Sequence, residues 1–147
     1  MAKKVVQFLD FESEYDFLLM GIFCAYRDYK LCFELNNALE LSFEKLDDFE
    51  IALDKKGSGQ FPLFFADNLE GEEFFVIGNK GSNGFFVPEL KQVDYFLIVR
   101  NYTRETTIEN LIRKIKTIKI VSSVVEYDPA ELKSGDLFLY IERKAEK

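Results

Sequence analysis

Histidine is the residue type that this chain of 147 residues most clearly lacks, since it has none. Without an imidazole there is no Ser-His-Asp or Cys-His arrangement, and no side chain that titrates near neutral pH with its ordinary pKa. Two cysteines also fall short of the ligands that a zinc site built from Cys and His needs. Carboxylates, lysines, tyrosines and two thiols are left for chemistry, so we name no catalytic residue and expect no metal or cofactor.

Disulfides and long apolar runs are equally missing. Cys24 and Cys32 both lie in apolar surroundings, and we interpret them as buried thiols of a reducing cytoplasm. The longest uncharged apolar run, Phe17 to Ala25, is far shorter than the roughly 20 residues that span a bilayer. Met1 to Lys4 precede only a short apolar run, so no signal peptide is expected. These features predict a soluble, cytoplasmic protein that does not contact membranes.

Positive charge is in deficit, with 19 Lys and Arg against 26 Asp and Glu and a net charge of −7. An acidic domain is repelled by phosphate backbones and anionic membranes, so nucleic acid is not an expected partner. Aromatic residues, by contrast, are abundant, with 16 phenylalanines and 7 tyrosines. So many rings predict a thick core, or a core plus an apolar surface that another chain covers.

The second half of the chain predicts a β-α-β unit over residues 94–127. Tyr95 to Val99 is apolar at every position, as in an internal strand covered on both faces. Thr106 and Glu109 have the spacing of a capping box that opens an amphipathic helix. The β-branched residues of Lys119 to Tyr127 then predict a second strand, which a right-handed connection joins if the two strands are parallel.

The first half predicts one helix among strands. Asp28 suits a helix N-cap, and the apolar stripe after it consists of Leu31, Cys32, Leu35, Ala38 and Leu39. Alternation or apolar runs predict strands at 5–11, 47–54, 61–66 and 73–79, and a last strand at Leu137 to Ile141. Phe17 to Ala25 is too short for its periodicity to separate helix from strand.

Together these elements predict an α+β fold: a mostly antiparallel sheet with two main helices packed on one face and one β-α-β unit. We expect one domain over residues 1–147, with 142–147 as a flexible charged tail. Helices on one face would leave the apolar second face uncovered. The simplest expectation is that a second copy of the chain covers this face, which would make the protein a homodimer. The alternative is that the element at Phe17 to Ala25 covers it.

The stretch Val87 to Tyr95 reads Val-Pro-Glu-Leu-Lys-Gln-Val-Asp-Tyr and resembles the signature of the bacterial IPExxxVDY family. Val87 replaces the family's isoleucine, and the matching positions are Pro88, Glu89, Val93, Asp94 and Tyr95. A second shared element is Asp28-Tyr29-Lys30-Leu31, followed by Leu35-Asn36. The resemblance covers most of the chain and implies a small protein of Bacteroidetes-type bacteria. It carries over no mechanism and no catalytic residue.

Two surfaces are candidate sites. In the signature, Pro88, Glu89, Asp94 and Tyr95 either fix a turn that feeds a core strand or line a surface that a partner or ligand contacts. On the predicted helix, the positive residues either form a solvated face or dock an acidic partner; they are Arg113, Lys114, Lys116 and Lys119. A third group of rings faintly resembles a sheet that stacks RNA bases, although core packing is the simpler interpretation; it comprises Phe61, Phe64, Phe65, Phe74 and Phe75.

Three functional hypotheses follow. The favoured one is a non-catalytic protein-interaction or regulatory domain whose protein partner the sequence does not identify. The alternative is a small-molecule-binding regulatory domain of the ferredoxin-like or ACT-like kind. An enzyme that uses Glu89, Asp94 or Tyr95 is third, because it requires these side chains to converge with shifted pKa values.

Overall fold

Strands account for most of the regular structure in the computed structural model, which describes residues 15–53 and 57–142. The strands are β1 (Phe17–Cys24), β2 (Glu44–Lys45), β3 (Phe49–Ala52), β4 (Ser58–Phe61), β5 (Leu63–Asp67), β6 (Glu73–Gly78), β7 (Lys80–Gly81), β8 (Gly84–Phe85), β9 (Tyr95–Arg100) and β10 (Val121–Glu126). The α-helices of the described residues are α1 (Asp28–Leu39) and α2 (Ile108–Lys116). Short 3-10 helices lie at Pro88–Leu90, Pro129–Glu131 and Gly135–Tyr140. The strand predicted at 5–11 lies outside the described residues.

Six strands form one antiparallel sheet in the order β10-β1-β9-β6-β5-β2. The segment Phe17 to Ala25, whose type periodicity leaves open, is the inner strand β1, paired with β10 on one side and β9 on the other. Because both neighbours run antiparallel to β1, they are parallel to each other, and α2 connects them across β1. The strands β1 and β6 are likewise parallel to each other across β9, and the segment that connects them contains α1 followed by β2 to β5. This interleaving is the ferredoxin-like arrangement of strands and helices.

Both helices pack on the same face of the sheet, which confirms the predicted α+β class. Apolar side chains of α1 and α2 share one buried cluster with side chains of β1, β6 and β9. The helical members of this cluster are Leu31, Cys32, Leu35, Ile108, Leu111 and Ile115. Among the described residues, neither helix has the length and hydropathy of a membrane-crossing segment.

The helix starts differ from their predictions by one residue. The cap position of α1 is Arg27, without a side-chain cap bond, whereas Asp28 lies in the first turn and its Oδ1 accepts from the Tyr29 N–H at 2.6 Å. For α2 the cap is Thr107, whose side chain accepts from the Asn110 N–H at 3.2 Å. The capping box predicted from Thr106 is therefore wrong, since the Thr106 hydroxyl instead donates to a carboxylate on another loop.

The second face of the sheet is covered by the chain itself. Residues 129–141, here called the C-terminal strap, run across it and bury Phe138 and Ile141 completely. The hairpin β3–β4 packs into the same cluster through Phe49 and Ile51. An apolar face therefore gives no reason to expect self-association, and the proposed cover by Phe17 to Ala25 is wrong because that segment is a strand of the sheet.

The strap contains a 3-10 helix where the sequence predicts a strand at Leu137 to Ile141. Residues three apart point the same way in a 3-10 helix, so Phe138 and Ile141 both reach the sheet, which an alternating strand would not allow. Arg100 fixes the end of this helix by donating to the carbonyl oxygens of Phe138 and Ile141. Its guanidinium lies over the ring of Phe17 at 5.6 Å. Of the predicted tail, the structure describes only Glu142.

Candidate functional site

The signature Val87 to Tyr95 forms a tight connection between β8 and β9. Val87 and Val93 are buried, and the 3-10 helix between them begins at Pro88, whose fixed φ suits a first helical position. Val93 packs against β1 at Gly21, where an added Cβ would lie 3.0 Å from Val93 and 2.6 Å from the ring of Tyr127. The apolar half of the signature therefore anchors the turn to the sheet.

A buried asparagine outside the signature holds the turn in shape. The Asn79 side-chain amide donates to the carbonyl oxygens of Leu90 and Val93, both at 2.9 Å, and its Oδ1 accepts from the Val87 N–H at 2.7 Å. Asn79 is fully buried, so these bonds form in a low-dielectric surrounding where leaving them unmade is costly. Sequence reasoning missed this residue. The one feature of the sequence that indicates Asn79 is its position as a polar residue at the end of an apolar strand.

Glu89 projects from the turn toward the C-terminal strap. Its carboxylate accepts from the Ser134 N–H at 2.8 Å and from the Ser134 hydroxyl at 3.0 Å. Partial desolvation alone would raise the pKa of Glu89, but hydrogen bonds from Ser134 and neighbouring N–H groups outweigh it and hold the pKa below its ordinary value. Glu89 is thus ionised at neutral pH and ties the signature to the strap.

Asp94 and Tyr95 hold a different segment, the connection between β1 and α1. The Asp94 carboxylate accepts from the Cys24 N–H at 2.7 Å, and the Tyr95 hydroxyl donates to the Tyr26 carbonyl oxygen at 2.7 Å. Burial, and secondly the charge of Asp28, raise the pKa of Tyr95 above its ordinary value, so the phenol stays protonated. The signature carboxylates therefore bond to separate parts of the chain, and Tyr95 is not poised to act as a base.

An open depression of about 570 Å³ lies where Asp94 and Tyr95 meet this connection. Two cations and two carboxylates line it, so its formal charge is balanced; they are Arg27, Lys80, Asp28 and Asp94. Burial raises the pKa of the Cys24 thiol, which also borders the depression, and this disfavours the reactive thiolate. Polar and shallow, the depression suits a small zwitterion better than an apolar ligand.

A row of exposed aromatic side chains follows the same connection onto the outer side of α1. Tyr26, Tyr29 and Phe33 are 53%, 66% and 58% exposed. Their spacing of three and four residues places Tyr29 and Phe33 on one side of the helix, with Tyr26 just before its start. Lys30 lies 6.0 Å from the centre of the Phe33 ring and pairs with Glu34 at 3.6 Å. We call Tyr26, Tyr29 and Phe33 the aromatic row.

Sequence reasoning did not single out the aromatic row. The apolar stripe of α1 predicts its buried side, and the abundance of rings predicts a thick core or an apolar surface without indicating which rings are exposed. The feature of the sequence that indicates this row is the spacing of Tyr29 and Phe33. They are four residues apart and therefore share a side of the helix, which is not the side of Leu31 and Leu35. The five strand phenylalanines behave as core packing predicts, since all are buried and none offers a ring for stacking bases; they are Phe61, Phe64, Phe65, Phe74 and Phe75.

The predicted basic patch lies on the exposed side of α2 and the turn after it. Arg113, Lys114, Lys116 and Lys119 are all exposed. The Arg113 guanidinium donates to the Asn110 side-chain oxygen. None of the four forms an ion pair with a carboxylate of the described residues. The patch is therefore separate from the signature and its charge is not neutralised by contact with this part of the chain.

We also searched residues 15–53 and 57–142 for metal sites and for buried polar atoms without a hydrogen-bond partner. Within these ranges no group of three or more Cys, Asp and Glu side chains is arranged to hold a metal ion. Every buried side-chain nitrogen and oxygen described has a hydrogen-bond partner, so none waits for a ligand. No protein-family model, curated protein or solved structure matches this chain.

Proposed function

We propose that this chain is a non-catalytic, cytoplasmic protein-interaction domain that binds its partner through the aromatic row. The carrying observation is that three exposed rings, Tyr26, Tyr29 and Phe33, lie close together along the start of α1. Phe33 is exposed although the other phenylalanines that the structure describes are buried or half-buried. Tyrosine and phenylalanine are enriched at protein interfaces, where they bury large areas with few rotatable bonds. The partner that fits is a protein with an apolar groove whose polar rim accepts the two tyrosine hydroxyls.

The signature supports this proposal as a positioning element. Asp94 and Tyr95 fix the main chain of Cys24 and Tyr26, which sets where α1 begins and how the aromatic row is presented. Glu89 ties the same turn to the strap on the opposite face of the sheet. If the chain belongs to the IPExxxVDY family, as we propose, the motif preserves this scaffold and performs no reaction.

The test is a capture experiment with the tagged protein in cytosol of the source cells. We expect the wild type to retain a partner that the double variant Tyr29→Ala/Phe33→Ala loses. The matched control is Tyr140→Ala, which removes another exposed tyrosine, 68% exposed, from the strap. All three sites are exposed, so each change should alter the free energy of unfolding by only about 0.5 kcal/mol.

Recovery of the same proteins by both variants would contradict the proposal. Sedimentation equilibrium decides whether the partner is a second copy, because a wild-type dimer that Tyr29→Ala/Phe33→Ala dissociates would identify the aromatic row as its own binding surface. An additional variant, Asp94→Ala, should weaken capture through misplacement of the β1–α1 connection while Tyr29 and Phe33 are intact.

A second candidate, a small-molecule-binding regulatory domain, is favoured by the charge-balanced depression beside Asp94 and by the ferredoxin-like arrangement of the sheet. Fold alone does not assign a function, so the depression carries this alternative. A thermal-shift screen of amino acids and nucleotides tests it, since ligand at 100 times its Kd adds about 2.7 kcal/mol to the unfolding free energy. Loss of the shift in Arg27→Ala and Lys80→Ala would locate the ligand there.

A further inference from the structure

The sheet ends in two very different edges. At one end β2 spans only Glu44 and Lys45, and shortness together with a lysine is a common protection against unwanted strand pairing. At the other end β10 has six residues, Val121 to Glu126, and contains neither proline nor lysine. Among the strands of residues 15–53 and 57–142, it pairs only with β1. Its one irregularity lies near Val121, opposite Phe23 and Cys24. From Ser123 to Glu126 the outer edge is regular, and no described segment pairs with it.

The hydrogen-bonding groups of this open edge can be assigned. The Tyr127 N–H donates to the Leu19 carbonyl oxygen at 3.0 Å, so this residue directs its main-chain groups toward β1. Main-chain groups alternate along an antiparallel strand. Val125 therefore also faces β1, whereas Val124 and Glu126 direct their N–H and C=O groups outward. Two residues thus offer the bonds that a further strand needs.

Charge decides between a second copy and another partner. The basic helix α2 packs against β10, and its Arg113, Lys114 and Lys116, with Lys119 just before the strand, lack ion pairs to described carboxylates. If two β10 strands paired about a two-fold axis, both α2 helices would lie side by side on one face and their like charges would repel. An acidic strand would instead gain attraction from the same residues.

The two faces of β10 specify the side chains of that strand. Val124 lies in the helix-side cluster with Ile22 opposite it, so this is the face of β10 on which α2 packs. Val125 and Tyr127 lie on the other face, where Val125 is 38% exposed. Side chains of an added strand alternate between these faces. Glu126, two residues from Val124, places one carboxylate on the helix side, where the four cations of the basic patch outnumber it. Acidic residues therefore suit the helix side and β-branched apolar residues suit the side of Val125.

We infer that the open edge of β10 binds an extended segment of a partner protein in which acidic and apolar residues alternate, by addition of a strand to the sheet. Main-chain bonds to Val124 and Glu126 hold the segment, and the basic patch on α2 selects its charge. This binding surface is distinct from the aromatic row and does not depend on it.

The probe is a synthetic octapeptide that alternates glutamate with valine, compared with its lysine–valine counterpart by fluorescence anisotropy. We expect the glutamate peptide to bind and the lysine peptide to bind at least about tenfold more weakly, the effect of one well-placed charge contact. Glu126→Pro removes an outward N–H from an exposed position and should weaken binding roughly tenfold. Its matched control Glu126→Ala keeps that N–H and should bind at least as tightly as the wild type.

Amide hydrogen exchange of the wild type gives a second readout that requires no variant to fold. The glutamate peptide should slow exchange at Val124 and Glu126, while the Tyr127 amide is already bonded and serves as the internal reference. Lys116→Ala/Lys119→Ala should weaken the glutamate peptide alone, and Tyr29→Ala/Phe33→Ala should leave it unchanged.

Four results would overturn the inference. They are equal binding by Glu126→Pro and Glu126→Ala, equal binding of the two peptides, no binding at millimolar peptide, and amides of Val124 and Glu126 already protected in the free protein. A wild-type dimer that Glu126→Pro dissociates would likewise overturn it, since a second copy would then occupy the edge.

Discussion

The two faces of the sheet are covered by different means. The helix side is covered by α1 and α2 and is mainly aliphatic, with Phe64 and Phe74 as the buried phenylalanines described there. On the strap side seven buried phenylalanines of the described residues pack under irregular segments and a short hairpin; they are Phe17, Phe61, Phe65, Phe75, Phe86, Phe96 and Phe138. A regular helix needs only a stripe of apolar residues to pack against the sheet. Irregular cover needs individual bonds, which Arg100, Glu89 and Asn79 supply.

The two faces differ in how their main-chain hydrogen bonds are satisfied, and therefore in how strongly each depends on individual side chains. A helix satisfies its own main chain, so its face can be built from aliphatic residues at regular spacing. The strap and the signature turn cannot do so, and side chains from elsewhere in the chain complete their hydrogen bonds. The strap side should therefore depend on single residues more steeply than the helix side does, and four changes examine this.

The largest expected effect is that of Phe138→Ala. Phe138 is fully buried and its ring centre lies 5.2 Å from that of Phe86 and 5.3 Å from that of Phe96. Truncation leaves a cavity between the strap and the sheet and should lower the unfolding free energy by about 3–5 kcal/mol. Urea unfolding measures it, with Tyr140→Ala from the same 3-10 helix as the exposed control. A cost near that of the control would show that the strap is not part of the core.

Asn79→Ala should rank second, although it removes little volume. The change leaves the Val87 N–H and the Leu90 and Val93 carbonyl oxygens without their partner in a buried place. We expect a loss of about 2–4 kcal/mol in urea unfolding, because each unsatisfied buried group costs about 1–3 kcal/mol and water can reach some of them after the change. The control Asn37→Ala, on the exposed side of α1, should cost little. Equal costs would mean that the turn keeps its shape without Asn79.

The sequence predicted some elements of the fold correctly and others not. The sequence pattern placed both helices, because Leu31, Leu35, Leu111 and Ile115 repeat at a helical spacing. It also placed five of the ten described strands, which are β3, β5, β6, β9 and β10. It failed at Leu137 to Ile141, where an apolar run predicts a strand and the sheet face instead selects a 3-10 turn. It also left Phe17 to Ala25 open, since pairing with two distant strands, and not local pattern, makes that segment a strand.

The candidate site was predicted less completely than the fold. The signature drew attention to Glu89, Asp94 and Tyr95, and each does make a specific long-range bond. Nothing local tells which segment each one holds, because their partners lie 45 to 70 residues away along the chain. Asn79 and the aromatic row were missed for the same reason: burial and exposure of a single polar or aromatic residue are properties of the assembled fold.

Arg100→Lys should have the third effect and act locally. Lysine keeps the charge but loses the planar fork that donates to the carbonyl oxygens of Phe138 and Ile141. We expect a loss of about 1–2 kcal/mol in unfolding free energy. Hydrogen exchange should speed up at strap amides, such as Ile141, well before it does in α1 or α2. Uniform acceleration over both faces would contradict a separate role for the strap.

The smallest expected effect tests the tie between the signature and the strap. Glu89 has its pKa held below the ordinary value of 4.5 in the folded protein, so its ionised form stabilises the fold. This contribution is fully present above pH 4.5 and is lost as the pH falls through the lowered pKa. Because Glu89 is exposed and screened by water, we expect only a few tenths of a kcal/mol, roughly 0.3, between the wild type and Glu89→Gln at pH 7. The difference should shrink as the pH falls through the lowered pKa of Glu89. The control is Glu131→Gln, which removes a carboxylate from the same strap without touching Ser134. If the difference in unfolding free energy between the wild type and Glu89→Gln persists at low pH, Glu89 acts through packing rather than through its charge.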